Sequence, residues 1–86
     1  MKIVRINAVW CSGCLVMHKV WNEIEKKYPN IEITNLDYDM DEDEVMTYNP
    51  GDILPIAIFY KDNIEIKRLV GEHKLSEIEE ILNEEN

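Results

Sequence analysis

The sequence is short of everything that bends, staples or anchors a chain. It holds three glycines, three prolines and two cysteines among 86 residues. No apolar run approaches the roughly 20 residues that a membrane-crossing helix needs, so no membrane span is expected. Positive charge is scarce as well. Nine Lys and Arg against eighteen Asp and Glu leave a formal net charge of −9. Such a surface repels polyanions, which argues against nucleic acid or an anionic membrane as a partner. No small-residue cleavage site follows Lys2-Ile3-Val4-Arg5-Ile6, so no secretory leader is expected and the chain is assigned to the cytoplasm. What remains is ordinary for a globular protein, with 45% hydrophobic and 31% charged residues. The length allows one domain, 1–86, with a small core and a thin stability margin.

The apolar pattern divides the chain into seven elements. Met1 to Val9 reads as a strand. Met17, Val20, Trp21, Ile24 and Tyr28 then recur at helical spacing and fall on one face. Pro29-Asn30 stops that helix. Ile31 to Leu36 alternates as a second strand. The acidic run from Asp37 to Glu44 reads as a loop and the first turn of a short helix, where carboxylates suit the helix dipole. A calcium loop of the usual kind needs a glycine near its middle, and this run has none. Asn49-Pro50-Gly51-Asp52 is a turn signal. Pro55 to Tyr60 and Ile64 to Val70 read as strands joined at Lys61-Asp62-Asn63. Lys74 to Leu82 is an amphipathic helix, with Leu75, Ile78, Ile81 and Leu82 turned inward and Ser76 with Glu79 as a late capping pair. The first two strands enclose a helix and should run parallel with a right-handed crossover. The result is an α/β fold: a four-stranded mixed sheet, βαβ then a β-hairpin, flanked by helices.

Cys11-Ser12-Gly13-Cys14 falls where the first strand passes into the first helix. Two intervening residues in a helical first turn bring the sulfurs within disulfide range. The first sulfur meets the unpaired amides and positive dipole end of the helix, an environment that lowers thiol pKa from about 8.5 and favours the nucleophilic thiolate. The second lies one turn inside, placed to resolve an intermediate. A close pair of cysteines in a reducing compartment is more often redox-active or metal-binding than structural. The expected cycle is attack of Cys11 on a substrate disulfide, then attack of Cys14 on the Cys11 sulfur, with a separate reductant restoring the dithiol.

In this context the sequence resembles the thioredoxin family over nearly its whole length, in a short form without the N-terminal strand and helix of full-length members. Ala8-Val9-Trp10-Cys11-Ser12-Gly13-Cys14 is similar to the family's active-site segment. Ile53-Leu54-Pro55, followed by Ile56-Ala57-Ile58-Phe59-Tyr60, is similar to its cis-proline loop and the strand after it. Val70-Gly71 resembles the glycine that borders the substrate groove. The resemblance implies a thioredoxin-like thiol–disulfide oxidoreductase with catalytic Cys11 and Cys14. Leu54 would offer its backbone to an extended substrate, Pro55 would pack in cis against the thiols, and Trp10 and Gly71 would line the groove. It implies disulfide-containing protein substrates, a thioredoxin-reductase-like or other dithiol reductant, and no cofactor beyond the sulfur pair. A monomer is expected, although a sheet edge left bare by the missing strand invites pairing.

The departures from the family pattern are as informative as the matches. The family places an acid beneath the resolving cysteine, and the matching position is Arg5. Its partner lysine corresponds to Asn35. Arg5 then has two readings: a cation that favours the thiolate, or an edge residue that snorkels into solvent or pairs with Asp37. Ser12-Gly13 replaces the common Gly-Pro and removes a rigid helix start. Leu15 and Val16 lie off the inner helical face, where they serve either as an apolar landing surface or as partly buried neighbours of the loops. Three alternatives accompany the main reading. One is a glutaredoxin-like, glutathione-linked reductase, which usually has a paired glycine where Val70-Gly71-Glu72-His73 has one. Another is a zinc site on Cys11, Cys14 and His18, with His73 as the remaining histidine; a closed site wants four ligands, so no metal is expected. The last is a non-catalytic binding module on the same fold.

Overall fold

A computed structural model describes residues 1–85, so the final residue of the expected 1–86 domain lies outside the described region. The elements run β1 (Lys2–Asn7), α1 (Ser12–Lys27), β2 (Glu32–Asp37), α2 (Glu42–Met46), β3 (Ile56–Lys61), β4 (Ile64–Val70) and α3 (Leu75–Glu85). The four strands form one mixed sheet in the order β2-β1-β3-β4. β1 pairs parallel with β2 and antiparallel with β3, and β3 pairs antiparallel with β4. The parallel pair follows from the α1 crossover and the antiparallel pair from the short hairpin, as the element order predicts.

Two local findings refine the expected boundaries. β1 ends at Asn7 rather than Val9, because the Cys11 amide donates back to the Ala8 carbonyl at 3.2 Å and closes a turn. That turn lifts residues 8–10 off the sheet and delivers Cys11 to the start of α1. The hairpin turns on Asp62 and Asn63, both left-handed at φ +54° and +65°. Two consecutive left-handed residues define a type I′ turn, whose twist suits the flanking strands; Asp and Asn tolerate that conformation without glycine. Ser76 lies inside α3 and not ahead of it, since the helix begins at Leu75.

The sheet buries both faces. On one, Ile3, Ala57 and Phe59 meet Met17, Trp21 and Ile24 of α1 and Ile78 and Leu82 of α3. On the other, Val4, Ile6, Leu36, Ile56 and Ile58 meet Val45 of the short α2. Strand alternation explains the division, because neighbouring residues of β1 point to opposite faces.

Candidate active site

Cys11 is the N-cap of α1, in extended conformation at φ −95°, ψ 109°, and its Sγ accepts the Cys14 backbone N–H at 3.2 Å. Sulfur here fills the place that a Ser or Asp oxygen takes in an ordinary cap, so a helix donor left without an intrahelical partner points at the thiol. Both cysteines are free thiols. Cys11 is partly exposed, and Cys14 is buried at 7% exposure. Burial is the main reason that the Cys14 pKa is pushed up to about 11. Its hydrogen bond to Cys11 and the nearby Cys11 charge raise it further, while the Ala8 backbone N–H and Arg5 pull the other way. At neutral pH Cys14 therefore holds its proton.

The structure brings the predicted site residues to one end of the sheet. The Leu54–Pro55 peptide is cis, as the resemblance implied. Gly13 allows a close approach here: a Cβ added to it would lie 3.3 Å from Pro55 Cδ and 3.3 Å from Glu72 Cγ. The Gly71 N–H donates to the Pro55 carbonyl at 2.8 Å, and Gly71 is left-handed at φ +85°, a conformation that glycine adopts without penalty. Leu54 is half-buried against the α2-side core, and its backbone makes no hydrogen bond to any described residue. Trp10 stands 63% exposed beside Cys11, and Val9, Ile53, Leu15 and Val16 are also exposed. The partly buried reading of Leu15 and Val16 is thereby corrected: nothing in the loops covers them.

Arg5 corrects the edge reading. β1 is an inner strand, so Arg5 has Asn35 on one side and Ala57 on the other, while Asp37 pairs in register with Asn7. The side chain is 6% exposed, with its guanidinium carbon 5.0 Å from the centroid of the Trp21 ring. Burial lowers its pKa to about 10, opposed first by Glu25, which still leaves it charged at neutral pH. Arg5 lines a cleft of about 760 Å³ together with Cys11, Cys14, His18, Asn22, Glu25 and Asn35.

Nothing in the residue pattern indicates how Trp10 is held. Its indole N–H donates to Asp39 at 2.7 Å, and its ring meets Tyr38 edge-on with centroids 6.2 Å apart. The acidic run is the loop and helix start expected, but it also builds this support. The Asp37 carboxylate accepts the Asp39 and Met40 amides, both at 2.9 Å, and Asp41 accepts the Asp37 amide at 2.8 Å. These Asx bonds rigidify the turn that carries Asp39. His73, weighed earlier as a metal ligand, is bonded to Glu77 and to the Val70 carbonyl. Among the described residues no three His, Cys, Asp or Glu side chains converge as a metal site requires.

A βαβ unit followed by a β-hairpin, with a Cys-x-x-Cys at the first helix start and a cis proline facing it, defines the thioredoxin-like class. The thioredoxin family model matches residues 1–84, and the chain belongs to the thioredoxin family. It is 34% identical over 69 residues to thioredoxin H5 of Oryza sativa subsp. japonica, covering 80% of this chain and 50% of that protein. It is 32% identical over 71 residues to a thioredoxin H-type of Picea mariana, covering 83% and 56%. The chain thus spans about half the length of these curated relatives. Among solved structures, Fasciola hepatica thioredoxin superimposes with a TM-score of 0.86 at 24% identity, covering 99% of this chain and 80% of that one, a likeness of fold. No described helix is long and apolar enough to cross a membrane.

Proposed function

We propose that the protein is a thiol–disulfide oxidoreductase that reduces protein disulfides through a Cys11/Cys14 cycle. The carrying observation is the asymmetry of the two thiols. Cys11 is reachable and backed by a helix amide at its sulfur, whereas Cys14 is buried and protonated directly behind it.

Cys11 thiolate attacks one sulfur of the substrate disulfide, and the other leaves as a thiolate. The product is a mixed disulfide between Cys11 and the substrate. Cys14 then displaces the substrate and closes the Cys11–Cys14 bond. Two electrons pass from the dithiol to the substrate, and the sulfur pair is the only redox group required. Trp10, Leu54, Pro55 and Gly71 form the rim on which an extended substrate segment docks. The unpaired Leu54 backbone supports strand-like docking, because extended peptides recognise free backbone donors and acceptors. A thioredoxin-reductase-like or other dithiol donor restores the reduced state. The acidic surface disfavours nucleic acid and anionic membranes as partners, and the close thiol pair suits the reducing cytoplasm.

Insulin reduction driven by dithiothreitol tests the reading. Wild type should accelerate precipitation of the insulin B chain, and Cys11→Ser should fall to the uncatalysed rate. Cys14→Ser should retain substrates on Cys11 as mixed disulfides that dithiothreitol releases. Wild type no faster than dithiothreitol alone, with no trapped adduct, would sink the proposal.

A further inference from the structure

A buried arginine ordinarily sits against a carboxylate or a set of carbonyls, because an unpaired interior charge is costly. Arg5 has neither. Among the described residues its guanidinium has no hydrogen-bond acceptor and no ion pair, and its Nε is shielded from solvent without a partner. It rests on the face of Trp21, an arrangement that stabilises a cation without neutralising it. Its field is balanced only at a distance, by Glu25, and it shares a cleft wall with Cys14.

Cys14 is the neighbour that needs it. Resolution requires the Cys14 thiolate, yet burial favours the protonated thiol. In the free dithiol, Cys11 reinforces that preference through its hydrogen bond and its charge. In the mixed disulfide the Cys11 thiolate is gone, and both of those effects go with it. Burial then stands against two groups that favour the thiolate, the Ala8 amide and Arg5. The other ionisable groups that face this place are His18 and Glu25 from α1 and, from the segment after β4, Glu72, whose carboxylate lies against Gly13, and His73. Asn35 of β2 and Ala57 of β3 bring no charge.

We propose, building on the oxidoreductase reading, that Arg5 is a positioning residue whose fixed positive charge stabilises the Cys14 thiolate during resolution, the Cys14 proton leaving to the solvent of the α1–β2 cleft. The step balances. Cys14 thiolate attacks Cys11 Sγ and the Cys11–Cys14 bond forms. The bond from Cys11 to the substrate sulfur breaks, and its electron pair leaves on that sulfur. The substrate is reduced and the cysteine pair oxidised. The proton lost from Cys14 is matched by one taken up by the released thiolate.

The test is stopped-flow reaction of the reduced protein with 2,2′-dithiodipyridine, a neutral disulfide that releases a coloured thione at each step. The first release reports attack by Cys11, and the second reports resolution by Cys14. In Arg5→Met and Arg5→Gln the pH profile of the second phase should move up by about one unit, and its rate at pH 7 should fall about tenfold. The first phase should stay within about threefold of wild type, since Cys11 caps α1 and its sulfur is supported by the Cys14 amide. Arg5→Lys, which keeps the charge, should hold the wild-type profile to within about threefold and serves if the neutral variants fold poorly. A folded neutral variant with an unmoved second-phase profile would overturn the proposal, as would a Lys variant shifted as far as the Met variant. Absence of a first phase in wild type would instead strike the oxidoreductase reading itself.

Discussion

The two faces of the sheet carry different loads. Under α2, Val4, Ile6, Leu36, Ile56 and Ile58 close on Val45 with no charged group among them. Under α1 and α3, the same strand places Arg5 between Ile3 and Asn7, so a cation and a buried amide oxygen, which has no partner among the described residues, interrupt an otherwise apolar layer. The first face is built to hold. The second gives up some cohesion, and it does so where the thiols are.

Four measurements would break or sharpen that contrast. Truncation on the quiet face comes first: Ile58→Ala should cost about 3 kcal/mol in urea unfolding while leaving both thiol phases unchanged. On the active face the sign should reverse. Arg5→Met should raise stability by about 2 kcal/mol in the same assay, because an apolar side chain replaces an unpaired buried charge, even as resolution slows. If Arg5→Met is instead as damaging as Ile58→Ala, the two faces do not differ in this way. A pH dependence comes third. Cys14 is held at about 11 in the fold against an ordinary value of 9.0, so above pH 9 the unfolded chain loses its thiol proton while the native chain keeps it. Stability of the reduced protein should therefore decline as pH rises from about 9 toward about 11, through this group alone, and the oxidised protein should lack that component. The smallest effect belongs to the rim. Asp39→Ala frees the Trp10 indole and should lower kcat/KM for insulin about threefold, the scale of one partly exposed hydrogen bond, with melting temperature little changed.

Local pattern carried most of the fold. Met17, Trp21 and Ile24 are buried where helical spacing placed them, and Ile78 and Leu82 likewise. Asp62-Asn63 turned the hairpin as its composition implied. The thiol pair was legible for the same reason: strand, break and helix are adjacent in sequence, and the chemistry depends on that adjacency. Arg5 was not legible. A lone cation in a strand reads as an edge residue, because burying it unpaired is costly; the Trp21 ring that accommodates it lies on another element, and no periodicity reports the contact. The same holds for Trp10 and Asp39, which meet only after β2 has returned beside β1. Val9 resembled strand because its apolar character continued the run, while the turn that removes it is a single backbone bond to Ala8.

The bond from Trp10 to Asp39 has a bearing on choice of clients. With its one donor already occupied, the indole can greet an arriving polypeptide only with a greasy flank. Such a flank reads little of a visitor's letter code, which would suit the proposed reductant to many customers. On that proposal, sorting among them would fall to long-range attraction before touch, where a molecule of charge −9 favours visitors of the opposite sign.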